Sequence, residues 1–386
     1  MPIHFTTEEL ADRRRRTAAE MARRGLDALL IFRQESMYWL TGYDTFGYVF
    51  FQCLVLGADG RMTLLTRAPD LRQARFTSVV EDVRVWVDEA GATPEAQLRD
   101  ILAEQRLAGG RLGVEWHAYG LTAAGGFRLK DALDGFCRLD DASDLVSRLR
   151  LVKSPAELAH VRRAAELVDA AHDAAVAETR AGAFEGDILA ALQGAVFRGG
   201  GDDPANEQII GSGPGALMCR YFTGRRHLSA DDQMTLEIAG VHRHYHACLM
   251  RTVRVGPPPA EQRGMHAAAV ESFLAAEAAV RPGRPLGEVF DAHARVLDAA
   301  GHRANRMNGC GYSLGATFAP NWMDTADLSM LFHGNPTPAA PGMVLFIHII
   351  VFDSVRNLAM TSGATVAVTA SGCERLTRTP LDLVVR

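Results

Sequence analysis

The strongest constraint on this chain is a pattern that occurs twice. Helical stretches at about 156–180 and 184–198 lead into strands near 206–212, 234–240 and 243–255. Further helical stretches at about 260–280 and 286–300 lead into strands near 304–310, 342–350 and 357–369. No clear sequence repeat accompanies this echo. Two halves, each running from a helix pair into strands, suggest a domain with pseudo-twofold symmetry. Its curved sheet would carry a site in the middle, between the halves.

The chain before this pattern reads differently. An amphipathic helix runs from Thr6 to Arg24, opened by Thr-Thr-Glu-Glu. A short buried strand follows at Ala28–Phe32. Phe50–Leu56 and Met62–Leu65 read as paired strands joined by the turn Gly57-Ala-Asp-Gly60. A helix over Thr93–Gln105 and a strand over Arg111–Glu115 continue the alternation, which predicts an α/β domain. At Ser147–Pro155 the character changes, and Ser154-Pro-Ala-Glu157 starts a long alanine-rich helix with proline in its first turn. The boundary is set there, giving an α/β domain over 1–152 and an α+β domain over 153–386. A length of 386 residues, 48% of them hydrophobic, is more than one core usually holds.

Charge and composition exclude several classes. Net charge is −5, and the basic runs are too short for a nucleic-acid binder. The Arg13–Arg16 run is expected to be a solvated helix face. No stretch approaches the length of a membrane span, and MPIHFTTEELADRRRR lacks the apolar core of a signal peptide. The six cysteines are scattered without a Cys-x-x-Cys pair, which predicts a reduced, cytoplasmic chain. Gly199–Asp203 and Gly211–Gly215 lack the Lys-Ser/Thr ending and the strand-to-helix setting of phosphate loops, so they read as turns.

Five motifs occur in order: Leu151-Val-Lys-Ser-Pro-Ala-Glu-Leu, Ile210-Gly-Ser-Gly-Pro214, a hairpin ending Met250-Arg-Thr-Val253, Gly342-Met-Val-Leu, and Val366-Ala-Val-Thr-Ala-Ser-Gly-Cys-Glu374. In this order and spacing the chain resembles the creatinase/aminopeptidase P family over essentially its whole length. The resemblance implies a pita-bread C-terminal domain behind a smaller α/β domain, and a homodimer. Peptidases of that family hold two metal ions with two Asp, one His and two Glu. Carried over one at a time, those positions fall on Glu237, Cys248, Tyr312, His348 and Gly363. One carboxylate, one thiol, one phenol and one imidazole remain, too little anionic charge for a hard dinuclear site. The expectation is a site without metal or other cofactor, although Cys, His and Glu could in principle hold one zinc ion.

Metal-free members of the family hydrolyse C–N bonds of small, non-peptide substrates. Leu236-Glu-Ile-Ala-Gly240, Gly311-Tyr-Ser-Leu-Gly315 and Ala319-Pro-Asn-Trp-Met-Asp324 are similar to ectoine hydrolases, and creatinase fits less well. Metal-free cleavage needs a nucleophile, a proton donor and an oxyanion stabiliser. Glu237 is the first candidate, to attack carbon or activate water, or else a structural partner of Arg251. His348 is a candidate acid/base because an ordinary imidazole titrates near neutrality. Cys248 is a candidate nucleophile, on one strand face with His246 and His244 and with Tyr245 pointing away. Tyr312 could donate to a developing oxyanion. Arg220 and Arg251 could clamp a substrate carboxylate, with His246 beside them. Trp322 and Phe46 could wall the pocket, Phe46 by reaching into a partner's site as the resemblance implies. Asp324 could bind a substrate ammonium or cap a turn. The function expected is a cytoplasmic, metal-independent hydrolase of a small zwitterionic or amidine-bearing metabolite. A Xaa-Pro peptidase with an unusual metal site and a catalytically inactive binding protein are the alternatives.

Overall fold

A computed structural model describes residues 3–386, which fall into two compact units, one ending at Arg150 and the other spanning Leu151–Arg386. The first unit runs α1 (Thr7–Arg24), β1 (Ala28–Ile31), α2 (Gln34–Thr41), β2 (Cys53–Gly57), β3 (Met62–Arg67), α3 (Leu71–Thr77), β4 (Asp82–Trp86), α4 (Pro94–Glu104), β5 (Arg111–Val114), α5 (Ala123–Leu133), β6 (Arg138–Asp141) and α6 (Leu145–Leu151). Its sheet has the order β4-β3-β2-β1-β5-β6 and is mixed, with parallel pairs at β3–β4, β1–β5 and β5–β6. Thr6 caps α1 by accepting from the Glu9 N–H, one of the helix's orphan donors.

The Arg13–Arg16 run is not the solvated face expected of it. Arg13 is 1% exposed, and its guanidinium donates to the Trp39 carbonyl at 3.0 Å and to Glu9 at 3.1 Å. Arg14 reaches the Leu40 carbonyl and Arg16 the Leu149 carbonyl, leaving Arg15 turned to solvent. Arginine forks satisfy backbone carbonyls that a short helix such as α2 leaves open at its end.

The second unit runs α7 (Pro155–Glu178), α8 (Glu185–Arg198), β7 (Ile209–Ser212), β8 (Asp232–His242), β9 (Tyr245–Val255), α9 (Ala260–Ala279), α10 (Gly287–Ala299), β10 (Gly311–Ser313), α11 (Ala326–Ser329), β11 (Val344–Asp353), β12 (Leu358–Val368), β13 (Cys373–Arg375) and β14 (Val384–Val385). A complete capping box between Ser154 and Glu157 opens α7. The main sheet has the order β10-β11-β12-β9-β8-β7, so its two halves meet at the β12–β9 seam. One strand differs from the sequence reading: 304–310 is not a strand, and β10 begins at Gly311. Arg306 there makes an isolated bridge to Val351, while its guanidinium is bound to Asp298 of α10.

One sheet face is covered by helices. Leu236, Ile238, Leu249 and Val253 pack with α7 and α8, and Leu345, Ile347, Ile349 and Val351 pack with α9 and α10. Each such buried aliphatic side chain is worth roughly 1.5–3 kcal/mol. A slip of one residue would turn all of them to the other face, so this burial fixes the register. It thereby fixes which residues point the other way.

Candidate active site

The residues that point the other way form a row. Glu237 on β8 stands opposite Met250 on β9, Met250 opposite Gly363 on β12, and Gly363 opposite His348 on β11. A cavity of about 250 Å³ lies on this face, lined among others by Arg220, Glu237, Tyr312, Trp322 and His348. The structure therefore brings five of the ten sequence-predicted residues to one cavity.

Glu237 is the cavity's buried carboxylate. Burial pushes its pKa from 4.5 up to about 7, while the Arg220 charge and hydrogen bonding from Tyr312 pull it down. Arg220 is exposed and belongs to the loop before β8; its guanidinium donates to the Cys219 carbonyl at 2.8 Å. The Tyr312 phenol is driven well above its ordinary pKa, first by burial and then by the charge of Glu237, so it stays a donor. Trp322 fixes it from behind, its Nε1–H donating to the Tyr312 oxygen at 2.8 Å.

His348 lines the cavity without the neutral-pH titration expected of it. Burial, aided by the charges of His293 and Arg220, lowers its pKa to about 4. The imidazole is neutral at pH 7, and its Nδ1 finds no hydrogen-bond partner among the described residues. It can offer hydrogen bonds but is a weak base.

The other five residues lie elsewhere, each for a physical reason. Cys248 is on the Glu237 face but is fully buried and does not line the cavity. Burial, with the Glu237 charge added, raises its thiol well above 9.0, the reverse of what an activated nucleophile needs. His246 is fully buried with both ring nitrogens engaged: Nε2 accepts from the Ala205 N–H at 3.0 Å and Nδ1 faces the His244 carbonyl at 2.8 Å. Its pKa falls to about 4 through burial. It fastens the hairpin to the preceding loop rather than meeting a substrate. Tyr245 does point away, as alternation requires, and its hydroxyl donates to Glu157 on α7 at 2.8 Å.

Arg251 is neither a clamp in the cavity nor a partner of Glu237. It stands opposite Leu236, on the helix-covered face, and donates to the carbonyls of Met250, Gly363, Thr379 and Pro380. Asp324 does not line the cavity: it pairs with Lys153 at 3.2 Å, both side chains being 1% exposed. Phe46 belongs to the first unit and is 86% exposed.

The cavity also has walls the sequence reading missed. Cys219, Asn206, Asn321, Met307, Met323 and Met330 line it. Most sit in irregular segments, where no periodicity marks an inward side. For Cys219 a signal existed, since it adjoins Arg220. Cys219 is half-buried, and burial followed by the Glu237 charge raises its thiol pKa.

The five positions that correspond to metal ligands can be tested for fit. Among the described residues, no three His, Cys, Asp or Glu side chains converge as a metal set would. Glu237 is the one carboxylate among the five, and the Cys248 thiol resists ionisation. Gly363 is not an open gap. A Cβ added there would meet the Ile347 oxygen, the Met250 Cβ and the Phe346 Cε2, each at 3.0 Å. The Phe346 ring, edge-on to Tyr312 with centroids 5.7 Å apart, has closed over the place where a fifth ligand would stand. These residues do not fit a dinuclear metal centre.

Comparison with known proteins agrees with this architecture. The ectoine hydrolase of Halomonas elongata is 28% identical over 402 residues, covering 100% of this chain and 99% of that protein. A Xaa-Pro dipeptidase of Pyrococcus furiosus is 25% identical over 260 residues, covering 67% of this chain and 71% of that protein. The crystal structure of a dipeptidase from Mycobacterium ulcerans superposes with a TM-score of 0.84 at 26% identity over 99% of each chain. The likeness confirms an α/β N-terminal domain and a pita-bread C-terminal domain. The pattern of the Creatinase/Prolidase N-terminal domain matches residues 13–152, and that of Metallopeptidase family M24 matches residues 159–370. With more than half its length matched by the second pattern, this chain belongs to the M24 family of hydrolases.

Proposed function

We propose that the chain is a metal-independent hydrolase of a non-peptide C–N bond, a cyclic amidine or small amide, in a small zwitterionic metabolite. The observation that carries this reading is the charge arrangement of the cavity. One buried carboxylate, Glu237, titrates near pH 7, and one guanidinium, Arg220, stands near it. A zwitterion fits that pair: its carboxylate to Arg220, its cationic nitrogen toward Glu237. Trp322 and the three methionines supply an apolar wall for the carbon skeleton.

A carboxylate with a pKa near the working pH is suited to general base work. Glu237 takes a proton from water as the water oxygen bonds to the substrate carbon. The Tyr312 hydroxyl donates to the charge that develops. Glu237 then returns the proton to the leaving nitrogen as the C–N bond breaks. The match to the ectoine hydrolase along the whole chain supports this class of reaction.

The test is turnover of a panel of cyclic amidines and small amides by protein incubated with manganese or zinc, desalted and assayed for bound metal. Turnover with metal content near zero, abolished by Glu237→Gln in a folded protein, is the expected result. Cleavage of proline-containing dipeptides that chelators remove would replace this reading by a peptidase. Saturable ligand binding with no product would replace it by a binding protein. We further propose a homodimer in the cytoplasm, in which the exposed Phe46 of the first unit is covered by the second copy. A monomer by light scattering would refute it.

A further inference from the structure

We propose that Glu185 is a positioning residue: it ties the strap Tyr221–Arg225 to the sheet edge and so holds Arg220, the cavity's guanidinium, near Glu237. This deepens the preceding reading and rests on it for the roles of Arg220 and Glu237.

β7 is the edge strand of its sheet, and its outward backbone groups need partners. The strap supplies some of them. The Thr223 hydroxyl accepts from the Ile210 N–H at 2.9 Å and lies 3.1 Å from the Ile210 carbonyl. Glu185, at the start of α8, supplies a partner for the Ser212 N–H and collects the strap. It is fully buried. One carboxylate oxygen accepts from the Ser212 N–H at 3.0 Å and the Ser212 hydroxyl at 2.5 Å. The other accepts from the Tyr221 hydroxyl at 3.0 Å, the Gly224 N–H at 3.1 Å and the Arg225 N–H at 2.9 Å. Its own backbone N–H donates to the Arg226 carbonyl. The Tyr221 ring packs on Gly215, where an added Cβ would come within 2.8 Å of it.

Five donors on one buried carboxylate is more than helix capping requires, and three of them belong to the segment that follows Arg220 directly. Cys219 and Arg220 themselves carry few ties of this kind, since Arg220 donates to the adjacent Cys219 carbonyl. The strap is therefore the fixed end from which Arg220 projects. An amide at 185 would keep the shape but present an NH₂ group to a cluster of donors, so the anchor would fail by mismatch rather than by loss of bulk.

The experiment reads Glu237 directly. Its protonated carboxyl band is isolated by infrared difference against Glu237→Gln and titrated in native protein, Glu185→Gln, Tyr221→Phe and Arg220→Ala. The groups around Glu237 that titrate or carry charge are Arg220, Tyr312, Cys219, Cys248 and His348. Arg220 and Tyr312 hold the midpoint down, and of the two Arg220 does so from the loop before β8 that Glu185 ties. The midpoint is expected to rise in Glu185→Gln toward its value in Arg220→Ala, and to rise partway in Tyr221→Phe. Adding Arg220→Ala to Glu185→Gln should give no further shift. Tryptic cleavage after Arg220 and Arg225 should increase about tenfold in Glu185→Gln, the change expected on losing hydrogen bonds to a charged group. A merely structural Glu185 would lower stability and leave the Glu237 midpoint where it is, and that result overturns the proposal. If Glu185→Gln does not fold, Tyr221→Phe decides alone: an unmoved midpoint with unchanged cleavage overturns it. None of these readouts needs turnover, so they stand or fall separately from the hydrolase reading.

Discussion

Replacing Glu237 by Gln should stabilise this protein at alkaline pH while removing its activity. In the folded chain the carboxyl titrates at about 7, against 4.5 for the ordinary group. That displacement corresponds to roughly 3 kcal/mol. The sign follows from proton counting. Between pH 4.5 and 7 the unfolded chain has released this proton and the folded chain still holds it. The folded state binds more protons, so stability falls as pH rises through this window. Gln cannot ionise and is free of the penalty. Urea unfolding of the two proteins at pH 4.5, 6, 7 and 8.5 isolates the effect, because the groups that feel the Glu237 charge, Cys219, Cys248 and Tyr312, are raised by burial first and the titrations elsewhere are common to both. The curves should nearly meet at pH 4.5 and separate with rising pH, with Glu237→Gln the more stable by roughly 3 kcal/mol at pH 8.5. Parallel curves, or a variant that is the less stable one at pH 8.5, would show that Glu237 is not a desolvated carboxyl. The general-base argument would fall with it.

Three further outcomes follow from the same geometry. If Glu237 is the base, kcat/KM should climb as pH rises through about 7, and the limb should move upward in Arg220→Ala; a limb that ignores Arg220 would point to another group. Asp324→Asn removes the carboxylate charge paired with buried Lys153 and should cost about 3–5 kcal/mol in thermal or urea unfolding, with turnover per folded molecule unchanged. Lost turnover without lost stability would return Asp324 to the site. Cys248→Ala should retain kcat, since the thiol is buried and its ionisation suppressed; a fall of several orders of magnitude, as removal of a nucleophile gives, would refute this.

How much of this was legible in the sequence depended on what physical signal each feature leaves there. The echo of helix pairs and strands survives as hydrophobic period, and the sheet it predicted around the β12–β9 seam is present. The strand read near 304–310 shows the limit: Arg306 is engaged with Asp298 on α10, a long-range tie that local pattern does not carry. The same holds for the Arg13–Arg16 run, where charge suggested solvent and three backbone carbonyls, those of Trp39, Leu40 and Leu149, claimed guanidinium groups instead.

Within the site, the outcome was decided by which face each residue takes and how far it is from water. Alternation along β9 correctly set His246 and Cys248 against Tyr245. The same alternation assigns Arg251 to the helix side, opposite Leu236, so its exclusion from the cavity was available from the spacing alone. Depth was not available. His246 and Cys248 on β9 share a sheet face with Glu237 on β8, yet Glu237 lines the cavity and the other two are fully buried away from it. Depth also inverts the chemistry inferred from residue type. An ordinary imidazole titrates near neutrality, but His348 falls to about 4, while an ordinary carboxyl titrates near 4.5 and Glu237 rises to about 7. Desolvation penalises the charged form of each, so it moves the base down and the acid up. Of the two groups read as candidates from residue type, the glutamate and not the histidine is left with a pKa near neutrality for that reason, and Gly363, which resembles a lost ligand, is a position that Phe346 and Met250 have packed shut.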